Sequence, residues 1–460
     1  MSTSGTEPAI ERATEPATES ATELGISPLM AGDRNLSVDE ARAAIAAALQ
    51  PIAAAENVPL AFALGRVLAQ DVLSPIDVPA HDNSAMDGYA FRGAEQVAGQ
   101  PTVLRSVGTL FAGTPWAGRV AAGECLRIMT GAVMPAALDT VVPLELCRVE
   151  PAADGGSDGD KVHIAPGIIK TGENRRHRAE DLRAGLPALK AGRVLKPADL
   201  GLVASLGIAD LTVHRRLRVA LFSTGNELRM LGQALDAGSV YDSNRYSLMG
   251  ALQRLGMEVL DLGLVPDDPA ALQATLQDAM ARADVVLTSG GVSMGDADHT
   301  RDVLARLGEV AFWKVAMRPG RPFAFGPLFR KSEREGGAPP CWLFALPGNP
   351  VAALVTFYAF AREALLQLAG ATPAPLPVLQ ARCTTAIRKR PGRTEFQRGI
   401  IEPAPAGASH SGWQVKLTGS QGAGILRSMS EANALVVLRH DQGSVAEGEF
   451  VDVWLFDGLG

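Results

Sequence analysis

Three stretches of this chain read as an apolar strand that runs into a Gly-rich turn and then straight into a helix: residues 221–227 (LFSTGNE), 285–298 (VVLTSGGVSMGDAD) and 343–350 (LFALPGNP). A turn of this kind presents unpaired backbone N–H groups beside the positive end of a helix dipole, which suits an oxyanion or phosphate. Strands that end this way belong to open α/β sheets, where ligands sit at the carboxyl ends of the strands. Three such turns within one segment imply a single shared anionic site.

The segment around those turns supports the same architecture. From 216 to 370 apolar strands such as DVVLTSGG and CWLFALPG alternate with helical stretches such as DPAALQATLQDAMARA. The strands are continuously apolar, as expected for a sheet covered by helices on both faces, so a doubly wound α/β domain is predicted. Residues 80–181 switch to short β runs broken by Gly, Pro and Asp, which reads as a β-rich inserted domain. Residues 35–79 and 182–215 flank that insert and read as one discontinuous N-terminal linking domain, with a helix from about Pro197 to Leu206. Folded structure is expected to begin at Ser37, which has capping-box spacing to Glu40 ahead of Ala41, Ile45 and Leu49. After 371 short strands return, suggesting a small C-terminal β-barrel over 371–460. Residues 1–34 repeat a Thr/Glu/Pro/Ala theme with few bulky apolar side chains and are read as a disordered tail; the loop 331–340 is read as exposed.

Composition narrows the function. A net charge of -7 argues against general nucleic-acid or membrane-surface binding, so an anion must be held locally. The 4 cysteines (125, 147, 341 and 383) show no metal-ligand spacing and read as core thiols. No apolar run is read as membrane-spanning and the N-terminus lacks the pattern of a signal peptide, so a cytoplasmic protein is expected.

The candidate chemistry follows from the turns. Gly290 and Gly291 let backbone approach an anion, Ser293 adds a hydroxyl, and Asp296 and Asp298 are placed to serve a divalent cation or act as a base; Asp296 reads equally well as a helix N-cap. Glu227 lies just past Gly225. Pro347, Gly348, Asn349 and Pro350 form a rigid turn entering a helix. Lys314, Arg318 and Arg321 emerge from a strand of the same sheet, with Pro319 and Gly320 fixing the chain between the two arginines. In the insert, Asp82, Asn83, Ser84 and Asp87 crowd into HDNSAMDGYAF, and Arg175, Arg176, His177 and Arg178 precede Glu180 and Asp181. The first reads as an Asx-turn or a site; the second reads as an anion-gripping or a salt-bridged loop.

Taken together, DNSAMDGYAF, RIMTGAVMP, NRRHRAEDL, FSTGNEL, YDSNRYSL, SGGVSMGDADHT, MRPGRPFAFG, LPGNPVAAL and GRTEFQRG resemble the molybdopterin molybdenumtransferases, the MoeA family, and are similar to the C-terminal domain of gephyrin. The resemblance runs from about residue 30 to the end, in the family's order. It implies that the α/β domain binds molybdopterin and that the enzyme acts in molybdenum cofactor synthesis. The implied substrates are adenylyl-molybdopterin and molybdate, AMP is released, and Mg2+ or a similar divalent cation is required.

The family's functional positions fall on Asp87, Thr130 and Asp181, then on Glu227, Asp267, Asp298, Lys314, Arg318, Pro347 and Pro350, with Ser428 a looser match. The implied catalytic set is Asp87, Thr130, Asp181, Glu227 and Asp298, with Glu227 and Asp298 holding the metal. The implied substrate-binding set adds Gly225, Asp267, Ser289, Gly290, Gly291, Ser293, Lys314, Arg318, Arg321, Pro347, Gly348, Asn349, Pro350, Arg175, Arg176 and Ser428. The resemblance further implies a homodimer whose cleft joins the α/β domain of one subunit to the insert of the other, with a molybdopterin adenylyltransferase as a further partner. Two rivals are a molybdopterin adenylyltransferase-like nucleotide-binding enzyme and a non-catalytic gephyrin-like scaffold; the insert and barrel disfavour the first, and Asp87, Glu227 and Asp298 together disfavour the second.

Overall fold

The computed structural model describes residues 35–52, 54–152, 158–291, 298–329, 339–374, 376–405 and 412–456. The tail 1–34 and most of the loop 331–340 lie outside the described residues. Four parallel strands form the heart of the α/β domain, in the order Cys341–Leu346, Val285–Ser289, Arg218–Thr224, Glu258–Val265. Alternate residues face opposite sides, because side chains of a strand alternate. Val219, Leu221, Val285, Leu287, Phe344 and Leu346 pack under Asn244–Arg254 and the long helix after Pro350, whereas Ala220, Phe222, Val286 and Leu343 pack under Pro269–Arg282 and Asp298–Leu307. Both faces are therefore covered, as the continuous apolar runs predicted.

The sheet continues beyond Cys341–Leu346 in a way the alternation did not anticipate. Pro322–Leu328 joins antiparallel, and Ala311–Val315 pairs antiparallel to it. Two reversals restore the original sense, so the end of Ala311–Val315 that carries Lys314 reaches the same edge as the carboxyl ends of the four parallel strands. Asn35–Leu36 completes the sheet, parallel to Ala311–Val315.

The helix Val38–Ala48 begins at a complete capping box, in which Glu40 N–H donates to Ser37 Oγ at 3.2 Å and Ser37 N–H donates to Glu40 Oε2 at 2.7 Å. Its buried Val38, Ala41, Ala44, Ile45 and Ala48 pack with Phe357, Phe360 and Leu365 on the α/β sheet, because its apolar stripe meets the long helix there. Ala63, Leu68 and Val72 share a core with Leu189, Leu195, Val203, Leu211 and Val213, and Ala55–Pro59 pairs antiparallel with Asp210–His214.

The insert is a six-stranded sheet in the order Thr140–Pro143, Gly88–Phe91, Glu124–Ile128, Thr102–Leu110, Lys161–Ile164, Cys147–Glu150. The C-terminal segment closes into a barrel: Thr394–Pro403, Trp413–Leu417, Val378–Cys383, Phe450–Leu455 and Ala434–Leu438 pair in sequence, and the last pairs back to the first. Met317–Arg318 adds to that barrel in parallel with Thr394 and Glu395, tying the two domains together.

Pro350–Leu368 is long and apolar enough by length and composition to cross a membrane, which the sequence reading did not note. It is 67% buried and forms the central helix of the larger core, with Val351, Val355, Phe357, Phe360 and Leu365 fully enclosed.

Replacing Ser37 by Ala removes the acceptor for Glu40 N–H. It is expected to lower the stability of the α/β core by about 1 kcal/mol, read as a shift of the urea unfolding midpoint at unchanged slope.

Candidate functional site

The parallel register sets the site. Ser223 pairs with Ser289, and Ser289 with Leu346, so the turns that follow these strands start side by side. Gly290 has φ +94° and its N–H donates to Leu346 O at 3.0 Å; a Cβ there would lie 2.3 Å from Thr224 O. Only glycine allows this approach of the first two turns. A Cβ on Gly348 would lie 3.8 Å from Gly290 Cα, so the second and third turns also touch through bare backbone. Asp267, just past the end of Glu258–Val265, accepts from Thr224 Oγ1 and from Asn226 N–H at 3.2 Å, joining the fourth strand end to the first turn. Gly225, Glu227, Asp267, Ser289, Gly290, Gly291, Pro347, Gly348, Asn349 and Pro350 thus gather at one edge.

The turns differ in detail from three identical nests. The chain after Gly225 does not enter a helix. It makes the small parallel pair of Leu228–Arg229 with Val240–Tyr241 and reaches helix Asn244–Arg254 only afterwards. The N–H of Gly290 is spent on Leu346 O, and that of Val351 donates to Ala423 O at 3.0 Å. Among the described residues the N–H groups of Gly291, Gly348 and Asn349 have no acceptor and remain for a ligand. The Glu227 side chain folds back over Gly225, its carboxylate 2.7 Å from where a Cβ would stand, and accepts no hydrogen bond among the described residues. Ser293, Asp296 and the Asp298 side chain lie outside the described residues; Asp298 is the first residue of its helix. Among the described residues no three His, Cys, Asp or Glu converge as a metal-binding group.

A set of polar residues behind the turns escaped the sequence reading. Asp242 and Arg245 are 1% and 3% exposed, far below what charged groups tolerate without partners. Asp242 Oδ1 accepts from Ser223 Oγ at 3.0 Å, and its Oδ2 accepts from Arg245 Nε at 2.9 Å; Arg245 Nη1 continues to Asp261 at 2.5 Å. Asn244 Nδ2 donates both to Ser289 Oγ and to Gly348 O, each at 2.7 Å.

The cations form the next part of the edge. Val315 N–H donates to Arg321 O at 2.8 Å, folding the Arg318–Arg321 loop back on its strand. Gly320 has φ +100° and lies so close to Thr356 that a Cβ would stand 2.4 Å from its Oγ1, which seats the loop against the helix after Pro350. On the barrel side, Arg398 is 1% exposed and has only neutral partners: Nε donates to Ser428 Oγ at 2.9 Å and Nη2 to Gly422 O at 3.0 Å. Burial, and then the charge of Arg318, pull its pKa down to about 10. Among the described residues no carboxylate pairs with this desolvated guanidinium, which stands beside a second arginine and is thereby suited to an anion. Ser428 is placed beside Arg398, a residue the sequence reading passed over although GRTEFQRG contains it.

The insert carries a separate cluster. Asp87 Oδ1 accepts from Thr130 Oγ1 at 2.6 Å and from Thr130 N–H at 2.7 Å; these bonds, with Arg127 nearby, hold its carboxyl below the usual range. Arg175 and Arg176 pair in register with Ser84 and Asn83, which brings the Arg loop beside the same strand end. Its arginines are matched by nearby carboxylates: Arg175 by Asp82 and Arg176 by Glu180 at 2.7 Å within the insert, and Arg178 by Asp77 of the preceding segment at 2.6 Å. Asp181 is exposed on the same loop, its N–H donating to Val78 O at 3.0 Å.

Comparison with known proteins agrees with this anatomy. Residues 36–207 match the family model of the MoeA N-terminal region (domain I and II), residues 220–367 a probable molybdopterin binding domain, and residues 380–456 the MoeA C-terminal region (domain IV). A molybdopterin molybdenumtransferase of Haemophilus influenzae is 38% identical over 425 residues, covering 92% of this chain and 99% of that protein. One from Nostoc sp. is 37% identical, covering 86% of this chain and 87% of that protein. Among solved structures, two of molybdopterin biosynthesis MoeA proteins from Pyrococcus horikoshii align with TM-scores of 0.75 and 0.69, at 25% and 29% identity; each covers 92% of this chain and 100% and 99% of the solved chains.

Two outcomes follow from the geometry. Gly290→Ala forces a side chain onto Thr224 O at a φ that disfavours it, so affinity for pyrophosphate, measured by calorimetry, is expected to fall about tenfold or more. Thr130→Val removes the hydroxyl that stabilises the Asp87 carboxylate. The lowered pKa means the native bond is present above the unfolded pKa and lost as pH falls through the folded one. In the variant the Asp87 carboxyl, followed by 13C NMR, is expected to titrate at higher pH than in the wild type.

Proposed function

The chain belongs to the MoeA family, and from that premise we propose that it inserts molybdenum into adenylylated molybdopterin, using molybdate and releasing AMP. It is an enzyme of molybdenum cofactor biosynthesis, a molybdopterin molybdenumtransferase. The observation that carries the finer chemistry is the gathering, at one sheet edge, of glycine turns with free N–H groups and an arginine pair short of an anion.

In this reading Gly291, Gly348 and Asn349 donate backbone N–H groups to the pyrophosphate linkage of the substrate. Arg318, Arg321 and Arg398, with Ser428 orienting Arg398, receive molybdate, a tetrahedral dianion suited to forked guanidinium donors. Release of AMP needs water to attack phosphorus while the bridging oxygen leaves with the pterin's phosphate. Asp87, held ionised by Thr130, orients that water or the molybdate from the partner subunit of a homodimer. Glu227 and Asp298 supply hard oxygen donors for Mg2+ or a similar cation, consistent with a Glu227 carboxylate that accepts no hydrogen bond among the described residues. Such a cation would neutralise charge that builds on the phosphate oxygens. Lys314, near the end of Ala311–Val315 and half-buried, adds a point charge to that rim.

The homodimer is supported by apolar side chains left open on the linking domain, among them Phe62 at 72% and Leu186 at 54% exposure. A cytoplasmic setting fits the free thiols of Cys125, Cys147, Cys341 and Cys383. A molybdopterin adenylyltransferase is the source of substrate that this reaction requires.

Glu227→Ala and Asp298→Ala are each expected to slow AMP release on addition of molybdate about 100-fold. Release at the wild-type rate in either variant would falsify the metal-assisted reading. Arg398→Met is expected to weaken molybdate binding about tenfold or more, and to leave AMP binding unchanged.

A further inference from the structure

We infer that Asn244 is a positioning residue that couples two of the phosphate-facing turns, residues 289–291 and 347–349, so that they receive a ligand as one unit. The inference rests on the reading that these turns hold the substrate's phosphates.

Asn244 is 8% exposed and opens helix Asn244–Arg254, yet its side chain does nothing for that helix. Asparagine at a helix start ordinarily caps backbone N–H groups. Here Ser243 occupies the cap position, without a side-chain bond, and the Asn244 amide is turned to the sheet edge. Its two N–H bonds go to different turns, one to Ser289 Oγ and one to Gly348 O, each 2.7 Å long. The orientation of the amide is fixed by chemistry: Gly348 O is only an acceptor, so the nitrogen must face it. Ser289 Oγ then donates its own proton to Pro347 O at 3.3 Å, closing a ring of three hydrogen bonds across both turns. Ser289 is 2% exposed, so water cannot replace these bonds.

Among the described residues the side-chain bonds that join these two turns are those of Asn244 and Ser289. Gly290 and Gly348 face one another through bare backbone, with no Cβ to act as a spacer. Asp242, two residues before Asn244, fixes the helix start to the first turn through Ser223 Oγ at 3.0 Å and is itself locked by Arg245. The helix start therefore bridges three strand ends, and Asn244 is the member that sets the second against the third.

The test uses the full-length protein and AMP as the probe, with affinity read by calorimetry. Asn244→Asp keeps the shape but puts a carboxylate oxygen where the donor to Gly348 O stood. It is expected to weaken AMP binding about tenfold, as is Ser289→Ala. Combined, the two are expected to weaken it no more than the worse single change, because both open the same ring. Molybdate affinity is expected to stay at the wild-type value. Leu248→Ala, fully buried on the same helix but away from the turns, is the control for plain destabilisation: it should lower the unfolding temperature and leave AMP affinity intact. Wild-type affinity in Asn244→Asp, additive losses in the double variant, or an equal loss in Leu248→Ala would each overturn the inference alone. Failure of the wild-type protein to bind AMP would instead defeat the reading of the turns, and the inference with it.

Discussion

The parallel pairing of Arg218–Thr224, Val285–Ser289 and Cys341–Leu346 is the constraint on which the remaining features depend. Parallel neighbours point their carboxyl ends the same way, so whatever follows each strand is delivered to one edge. Chemistry drawn from positions more than 100 residues apart in the chain is thereby assembled without any long-range side-chain recognition. The apolar strands contribute by allowing helices to cover both faces, which leaves the edge as the part of the sheet open to a ligand.

At that edge two strategies for holding negative charge sit together. The glycine turns offer partial charges fixed in backbone, which need no desolvation when an anion arrives. Arg398 offers a full charge that the fold has already desolvated, at a cost visible in its lowered pKa. Two of the acidic residues are kept from cancelling these groups by other bonds: Asp242 is locked by Arg245 and Ser223, and Asp267 by Thr224 and Asn226. Net negative charge overall and local positive potential are thus compatible.

How much of this was legible in the sequence depends on the range of the interaction involved. Glycine turns, the capping box at Ser37 and the alternation of strands and helices are local, and they appear in the structure where their residues are. The core that helix Val38–Ala48 joins was not legible, because it is set by tertiary packing. Pro322–Leu328 has prolines at both ends of an apolar run and reads poorly as a strand; pairing on both sides makes it one. Asn244, Asp242 and Arg398 were illegible for a different reason. A polar residue signals its importance only through burial and partners, and the partners that tie these three to other strands and turns lie 19 to 104 positions away.

The short strand Met317–Arg318 pairs with the barrel, and Ala423 of the barrel region caps an N–H of the helix after Pro350. The arginine pocket is therefore split between segments synthesised some 80 residues apart. A nascent chain that ends before residue 398 already holds the glycine turns but not the Arg318 and Arg398 pair. Translation order therefore completes the first of these features well before the second.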